Sequence, residues 1–204
     1  MPKQTFFNLP SEKRALILEA ARQEFSEVTL QEASIANIIK RAGIPRGSFY
    51  QYFEDKDDLF LYLVEEAGKD FFERLIKILQ DEKGDVFTAS EIWFKQNIEG
   101  LDDPRVKKLC KNIFLSMNEK MQDKMIPHCV KHPFAGSMRI LVENMDLTQL
   151  RISDEEEMKY FLRMLKGIIF GSMAAYLKGN VEKDRCLKAY TFQMEVIKRG
   201  ISKN

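Results

Sequence analysis

The sequence ASIANIIKRAGIPRGSFYQYF, residues 33–53, predicts two short helices joined by a tight turn. Ser34 is placed to cap the first of them, because its hydroxyl can accept a backbone N–H. Gly43 can adopt the left-handed conformation that closes a helix, and Pro45 suits the first turn of the next helix, which runs to about Tyr52. Two short helices separated by a glycine-containing turn are typical of a helix-turn-helix motif.

This stretch is basic in a chain that is almost neutral. Residues 33–53 contain the basic residues Lys40, Arg41 and Arg46 and no acidic residue. The whole chain has 32 Lys and Arg against 31 Asp and Glu, for a net charge of +1. That balance excludes a protein that coats a polyanion through bulk charge, so contact with nucleic acid would depend on this local surface.

The second helix of the motif separates aromatic and polar residues onto two faces. Phe49 and Phe53 lie four positions apart and are expected to pack inward, which leaves Arg46, Tyr50 and Gln51 on the outward side. Arginine and glutamine suit the base edges of the major groove, and tyrosine hydroxyls can donate to phosphate oxygens. The alternative is that the two tyrosines of this helix are half-buried core aromatics and that the local charge is chance.

The rest of the chain also predicts helices. Only 10 Gly and 6 Pro interrupt 204 residues, and 45% of residues are apolar, which is enough for a packed core. We expect a first helix at about 11–26 and a long one from the acidic residues 54–58 to about 82. Further helices are expected near 86–99, 104–119, 137–145, 154–178 and 182–198. No stretch predicts a β-strand, so the expected fold class is all-α.

Export and membrane insertion find no support in the sequence. The three cysteines, Cys110, Cys129 and Cys186, form no Cys-x-x-Cys motif, so reduced thiols in a cytoplasmic protein are the simplest interpretation. The first residues lack the apolar stretch of a secretory signal. The uncharged apolar segment 167–177 is far shorter than the ~20 residues that cross a bilayer. We therefore expect a cytoplasmic protein without a membrane partner.

Metal binding and catalysis are not expected either. The two histidines, His128 and His132, are bracketed by Pro127 and Pro133, which argue against a helix that presents both side chains on one face. No third ligand is near in sequence, whereas a structural metal needs about four. No nucleophile–base pair or glycine-rich phosphate loop is recognisable, so we predict no metal, no cofactor and no enzyme.

Residues 34–59, SIANIIKRAGIPRGSFYQYFEDKDDL, resemble the DNA-binding signature of the TetR family of bacterial transcription regulators. The resemblance extends upstream to ILEAA at residues 17–21 and to Phe25, which resemble the first helix of that family. After roughly residue 65 only length and helical character agree. The resemblance implies a three-helix DNA-binding head, here 1–56, and a helical domain, 57–204, that dimerises and usually binds a small effector.

Carried over by position, the resemblance implies two sets of contacts with double-stranded DNA. The residues implied to face bases are Arg46, Gly47, Ser48 and Gln51. The residues implied to hold phosphates are Ser34, Tyr50, Tyr52 and Lys56. Pro45 stands where the family often has serine, so the operator sequence cannot be taken from relatives.

The segment 161–177 offers a surface for a homodimer. Gly167 and Gly171 permit close approach of helices, although the alternative is that this segment is core of a single chain. Since the family acts in pairs, we expect recognition helices ~34–36 Å apart in successive major grooves of a palindrome. The interface residues expected on this segment and on 182–198 are Leu162, Leu165, Ile169, Met173, Tyr176, Tyr190 and Met194.

A pocket for a small apolar effector is expected in the middle of the chain. Met117 and Met121 are four positions apart, and Trp93, Phe94 and Phe114 are nearby in sequence. Methionine adapts to ligands of variable shape, but methionines at helical spacing are also ordinary core, and this alternative stays open.

These observations lead to one leading hypothesis and one alternative. The leading hypothesis is a homodimeric DNA-binding repressor, associated with the bacterial nucleoid when bound and released from a palindromic operator by a small apolar effector. The alternative is an effector-independent, DNA-associated structural or cell-division factor on the same fold.

Overall fold

The computed structural model describes residues 2–116 and 134–203, and most of them are helical. The helices are α1 (Gln4–Phe7), α2 (Ser11–Glu27), α3 (Ile35–Ala42), α4 (Arg46–Tyr52), α5 (Lys56–Asp81), α6 (Val86–Gly100), α7 (Pro104–Ser116), α8 (Phe134–Glu143), α9 (Glu155–Leu177) and α10 (Lys183–Ile201), with a 3₁₀ turn at Leu147–Gln149. Within the described residues no β-strand forms, and extended pairing is limited to an isolated bridge between Leu150 and Ser202. The predicted all-α fold class is confirmed.

Helices α3 and α4 with their turn form the predicted helix-turn-helix. Gly43 ends α3 with φ 65° and ψ 32°, the left-handed conformation expected from the sequence. Pro45 has an extended conformation with ψ 149° and directly precedes α4, so the helix begins at Arg46, one residue later than predicted. The motif is thus set by two backbone positions whose preferences are visible in the sequence.

Two features of this region differ from the sequence analysis. Ser34 occupies the N-cap position of α3, but its side chain makes no capping hydrogen bond, so the predicted serine cap is wrong. Helix α1 is absent from the predictions, because its four residues are too short to show a hydrophobic period.

The described residues group into two compact units. One unit contains residues 2–70 and 103–116, and the other contains residues 71–102 and 134–203. The division falls within α5, and α7 belongs to the unit that contains the helix-turn-helix. The predicted division of the chain into 1–56 and 57–204 stays a prediction.

Aromatic side chains form much of the core of the first unit. Phe25 of α2 and Phe60 of α5 meet edge to face, with ring centroids 5.2 Å apart. Phe49 of α4 and Phe53 directly after it are 5.6 Å apart and fully buried. The predicted inward packing of Phe49 and Phe53 is confirmed, and it anchors α4 from one side only.

Helix α7 is held against α2 within the same unit by polar side chains. The Asn112 Nδ2 atom donates to the carbonyl oxygens of Phe25 and Ser26, at 3.0 and 3.2 Å. The Ser116 hydroxyl accepts the N–H of Leu30 at 3.1 Å. Since the last carbonyls of a helix have no intrahelical partner, Asn112 caps the end of α2 from outside.

The second unit packs α10 against α6 and α9. Tyr190 of α10 stacks on Phe94 of α6, with centroids 3.8 Å apart and planes 9° apart. The Tyr190 hydroxyl donates to the carbonyl oxygen of Ser90 at 3.4 Å. This core contains many of the residues that the sequence analysis assigned to a dimer interface.

Five of the seven assigned residues are at most 8% exposed within one chain, which leaves them little surface for a partner, and their role at an interface stays a prediction. The buried residues are Leu162, Leu165, Tyr176, Tyr190 and Met194. Ile169 and Met173 are partly exposed, and their role at an interface stays a prediction.

Candidate DNA-binding surface

The outward face of α4 carries the residues that the sequence analysis assigned to base contacts. Arg46, Gly47 and Gln51 are exposed and Ser48 is partly exposed. Because Phe49 fixes the opposite face in the core, the polar face of this helix is presented to solvent. A short helix with exposed arginine and glutamine has the dimensions and donor groups that a major groove accepts.

The two tyrosines of α4 differ in their surroundings. Tyr50 is 40% exposed, and its ring meets Phe49 edge to face at 5.4 Å, which leaves its polar end outward. Tyr52 is half-buried and its ring lies 6.3 Å from that of Phe6. Tyr50 is therefore a surface residue, whereas Tyr52 is partly buried in the core and partly exposed.

An open depression of about 360 Å³ lies between the start of α3 and α4. It brings together four residues predicted to contact DNA that are far apart in sequence. The N-terminal end of α3 carries the partial positive charge of a helix start, which favours an anion. The predicted contacts that line it are Ser34, Arg46, Tyr50 and Lys56, beside apolar residues of α3.

Lys56, at the start of α5, holds the connection between α2 and α3. Its ammonium donates to the carbonyl oxygens of Gln31 at 2.8 Å and Ala33 at 2.9 Å. An ammonium has three donors, so the two carbonyls do not use its full capacity. Lys56 can thus fix the rim of the depression and still place a positive charge there.

A buried carboxylate on α2 fixes the other side of the depression. Glu24 is 2% exposed, and its Oε1 accepts the backbone N–H of Ser34 at 2.9 Å and the Asn37 amide at 3.0 Å. The Arg41 Nη2 atom lies 3.6 Å from Oε2 of Glu24 and 2.6 Å from Oε2 of Glu27. Hydrogen bonding to Arg41 lowers the pKa of the Glu27 carboxyl. This network attaches the start of α3 to α2.

Sequence reasoning misses Glu24 as a structural residue of the site. The available signal is its position one residue before Phe25, within the apolar stripe that also contains Ile17 and Ala21. A charged residue at a buried helix position needs partners, which the sequence alone does not identify.

Three of the five residues predicted to line an effector pocket lie within the described residues. Trp93 donates its indole N–H to the carbonyl oxygen of Phe71 at 2.9 Å, and Phe94 is buried in the stack with Tyr190. Phe114 is partly exposed on α7. The other two predicted pocket residues, Met117 and Met121, lie outside the described residues, as do His128, Cys129 and His132.

Helices α9 and α10 carry an apolar surface, here called the α9–α10 surface. It comprises an open groove of about 280 Å³ lined by small residues, among them Gly167, Gly171 and Ala189. The same helices carry the large apolar side chains Phe192, at 64% exposure, and Met164, at 46%. Solvent-exposed aromatic side chains of this size mark interaction surfaces when they cluster.

Two kinds of feature are missing from the part of the chain that the structure describes. None of its helices combines the length and apolar character that crossing a bilayer requires. Its His, Cys, Asp and Glu side chains form no group of three or more that could hold a metal ion.

Two sequence profiles match the chain. The profile described as bacterial regulatory proteins, tetR family, matches residues 17–63. The profile described as tetracyclin repressor-like, C-terminal domain, matches residues 85–201, which is more than half of the chain. Together they cover the helix-turn-helix and the helices from α6 to α10.

Curated relatives are similar over about a third of this chain or less. The uncharacterized HTH-type transcriptional regulator YvdT of Bacillus subtilis is 45% identical over 65 residues, 32% of this chain and 31% of that protein. The HTH-type transcriptional regulator BetI of Yersinia pestis is 39% identical over 61 residues, 28% of this chain and 31% of that protein. The chain thus matches about a third of the length of these relatives.

Solved structures are similar over nearly the whole chain. SmeT, the repressor of the Stenotrophomonas maltophilia multidrug efflux pump SmeDEF, has a TM-score of 0.67 at 21% identity, with 98% of this chain and 93% of that chain covered. The transcriptional regulator FadR from Bacillus subtilis in complex with stearoyl-CoA has a TM-score of 0.66 at 20% identity, with 89% and 96% covered. At these identities the likeness shows a shared fold.

Proposed function

The chain belongs to the TetR family of bacterial regulatory proteins, and on that premise we propose that it is a homodimeric transcriptional repressor released from a palindromic operator by a small apolar effector. The outward face of α4 carries this proposal. Arg46 and Gln51 are exposed on a helix whose other face is held in the core by Phe49. In the proposed complex this face reads bases, and the depression beside α3 receives a phosphate.

Phosphate contacts and base contacts have separate roles in this proposal. Tyr50 and Lys56, on the rim of the depression, fix the register of the protein on the duplex without reading sequence. Arg46, at the first position of α4, supplies discrimination through the fork geometry of its guanidinium. The near-neutral chain has little bulk charge to add, so this surface has to act twice, once in each subunit of a dimer.

The α9–α10 surface is the proposed dimer interface. Met164 and Phe192 are exposed on these helices, which also form a groove of small residues that permits close helix approach. A two-fold axis through this surface would pair the same helices of two copies in a four-helix bundle. The buried side chains that the sequence predicted at the interface would pack beneath it; they are Leu162, Leu165, Tyr176, Tyr190 and Met194.

The proposed effector acts through α7. This helix lies within the segment matched by the C-terminal family profile, yet it packs with the helix-turn-helix unit. Asn112 and Ser116 join it to the end of α2 and to the connection before α3. Movement of α7 would therefore act directly on the elements that hold α3 and α4.

The chemical class of effector is proposed from structural neighbours. FadR was crystallised with stearoyl-CoA, and a second SmeT structure is a complex with triclosan. Both ligands have a large apolar part, which agrees with the apolar effector expected from the sequence. By linkage, an effector that lowers operator affinity must bind the DNA-bound protein more weakly by the same factor.

The decisive experiment is in vitro selection of the DNA that the purified protein binds, followed by titration with effectors. We expect an enriched palindrome, and we expect stearoyl-CoA or triclosan to weaken binding to it. Failure to enrich any sequence over the starting pool would reject the proposed repressor. Enrichment with no response to any apolar compound in a broad thermal-shift screen would favour an effector-independent DNA-associated factor.

A further inference from the structure

The segment of residues 3–6, here called the capping segment, contacts the C-terminal end of α4. The backbone N–H of Lys3 donates to the carbonyl oxygen of Tyr52 at 2.8 Å. The Lys3 ammonium donates to the carbonyl oxygen of Tyr50 at 2.8 Å, and the Thr5 hydroxyl donates to that of Gln51. Three consecutive carbonyls of α4 are thus bound by one short segment.

These are the carbonyls that a helix leaves without an intrahelical partner. The last four carbonyls of a helix are unpaired by geometry, and in α4 the first of them, on Phe49, accepts the N–H of Phe53 at 2.9 Å. The capping segment binds the other three. A helix of seven residues gains little stability from its own hydrogen bonds, so its end depends on such external partners.

Phe6 holds the capping segment in place. Its ring is fully buried and lies 4.9 Å from that of Phe53 and 5.6 Å from that of Tyr62. Lys3 and Thr5 are exposed, so their contribution to the packed core is small. The segment therefore supplies one apolar anchor, Phe6, and two polar side chains, those of Lys3 and Thr5, that bind the end of α4.

We propose that Lys3 and Thr5 are positioning residues for DNA recognition, because they fix the end of the helix that reads bases. This inference rests on the proposed function of α4. The Lys3 ammonium also lies at the negative end of the α4 dipole, which adds a favourable charge interaction. Without these contacts, the last turn of α4, which carries Tyr50 and Gln51, would open more often and lose its register with the bases.

The test compares variants that remove the hydrogen bonds with variants that restore them. Thr5→Val removes the hydroxyl at nearly constant shape, and Thr5→Ser restores it. Lys3→Met removes the ammonium and Lys3→Arg restores a cationic donor. Lys13→Met is the matched control, because Lys13 is an exposed lysine of α2 for which the described residues show no hydrogen bond or ion pair.

Affinity is measured for the selected operator and for random DNA over a range of salt concentrations, and amide hydrogen exchange is followed in α4. We expect Thr5→Val to weaken operator binding by about 2- to 10-fold, the range of one hydrogen bond, with unchanged binding to random DNA and an unchanged salt slope. Exchange in the last turn of α4 should accelerate without a change in melting temperature. Thr5→Ser and Lys3→Arg should regain most of the lost affinity.

Two results would overturn the inference. One is a Thr5→Val protein with wild-type operator affinity and wild-type exchange in α4. The other is a Lys3→Met protein that loses operator and random-DNA affinity equally, with a reduced salt slope that Lys13→Met does not show, since that pattern marks a phosphate contact. If the wild-type protein shows no preference for any DNA, the proposed function fails, and exchange in α4 still tests the capping contacts.

Discussion

The buried carboxylate of Glu24 accepts the backbone N–H of Ser34 across a distance of 2.9 Å, which joins α2 to the residue directly before α3. The same oxygen accepts the Asn37 amide at 3.0 Å. Ser34 lines the depression proposed to receive a phosphate, so one carboxylate sets the position of a surface that it does not itself reach.

Glu24→Ala should destabilise the protein by about 1–3 kcal/mol, because it leaves two donors without their acceptor in a buried place. Glu24→Gln keeps an acceptor oxygen and should cost clearly less. Urea unfolding gives the two values. Glu19→Gln, at an exposed position of the same helix, is the control and should change stability little. Equal stability of Glu24→Ala and wild type would show that the network contributes nothing.

Arg46→Ala and Tyr50→Phe should affect DNA binding in different ways. Loss of the Arg46 guanidinium should relax discrimination at one base pair of each half-site, at a cost of about 1–3 kcal/mol on the preferred sequence. Loss of the Tyr50 hydroxyl should weaken all sequences to a similar degree. Binding to a library of single-base operator variants separates the two effects. If both variants bind DNA as the wild type does, α4 is not part of the DNA interface.

Met164→Glu combined with Phe192→Glu should dissociate the proposed dimer. Burying two new carboxylates without partners would cost far more than the apolar contact gains. Sedimentation equilibrium measures the association, and circular dichroism checks that the helices remain. Val106→Glu, at an exposed apolar position of α7, is the matched control and should stay dimeric. A double variant that remains dimeric would place the interface elsewhere.

Asn112→Ala should reduce the response to the effector. It removes the donor that joins α7 to the carbonyls of Phe25 and Ser26, so movement of α7 reaches α2 less directly. We expect the effector to lower operator affinity several-fold less than in wild type, within the 1–3 kcal/mol that such couplings commonly have. Lys111→Ala, on the same helix, serves as control. An unchanged ratio of affinities with and without effector would exclude this contact from the coupling.

High pH should destabilise the second unit through Tyr190. Burial raises the pKa of the Tyr190 hydroxyl above its ordinary value of 10.0. The unfolded chain therefore loses this proton first as pH rises, and stability falls above about pH 10 by at most about 1.4 kcal/mol per pH unit. Tyr190→Phe should show a shallower decline in urea unfolding between pH 9 and pH 11. Burial also raises the pKa of Tyr62, so part of the decline should remain.

Local preferences were sufficient for the helix-turn-helix. Gly43 adopts the left-handed backbone that the turn requires, and Phe49 and Phe53 face inward because their spacing matches one side of a helix. Such preferences act between near neighbours in the chain and can be read without a fold. The same locality explains why the bounds of most helices were close to their predicted values.

Only the tertiary structure could decide which apolar helix faces are buried within one chain. The apolar residues of α9 and α10 show their period in the sequence, but a period does not say whether a face packs inside one chain or against a second copy. Tyr190 proved to be core, whereas Phe192 is exposed two positions later.

The polar contacts that shape the site also join residues distant in sequence. Lys3 meets Tyr50, Glu24 meets Ser34, and Asn112 meets Phe25. A hydrogen bond of this kind forms only when the donor and the acceptor lie within a few tenths of an ångström of their preferred distance. No repeating pattern along the chain encodes that distance. The sequence therefore specified the helix that we propose to read DNA, while three-dimensional packing decided what holds that helix in place.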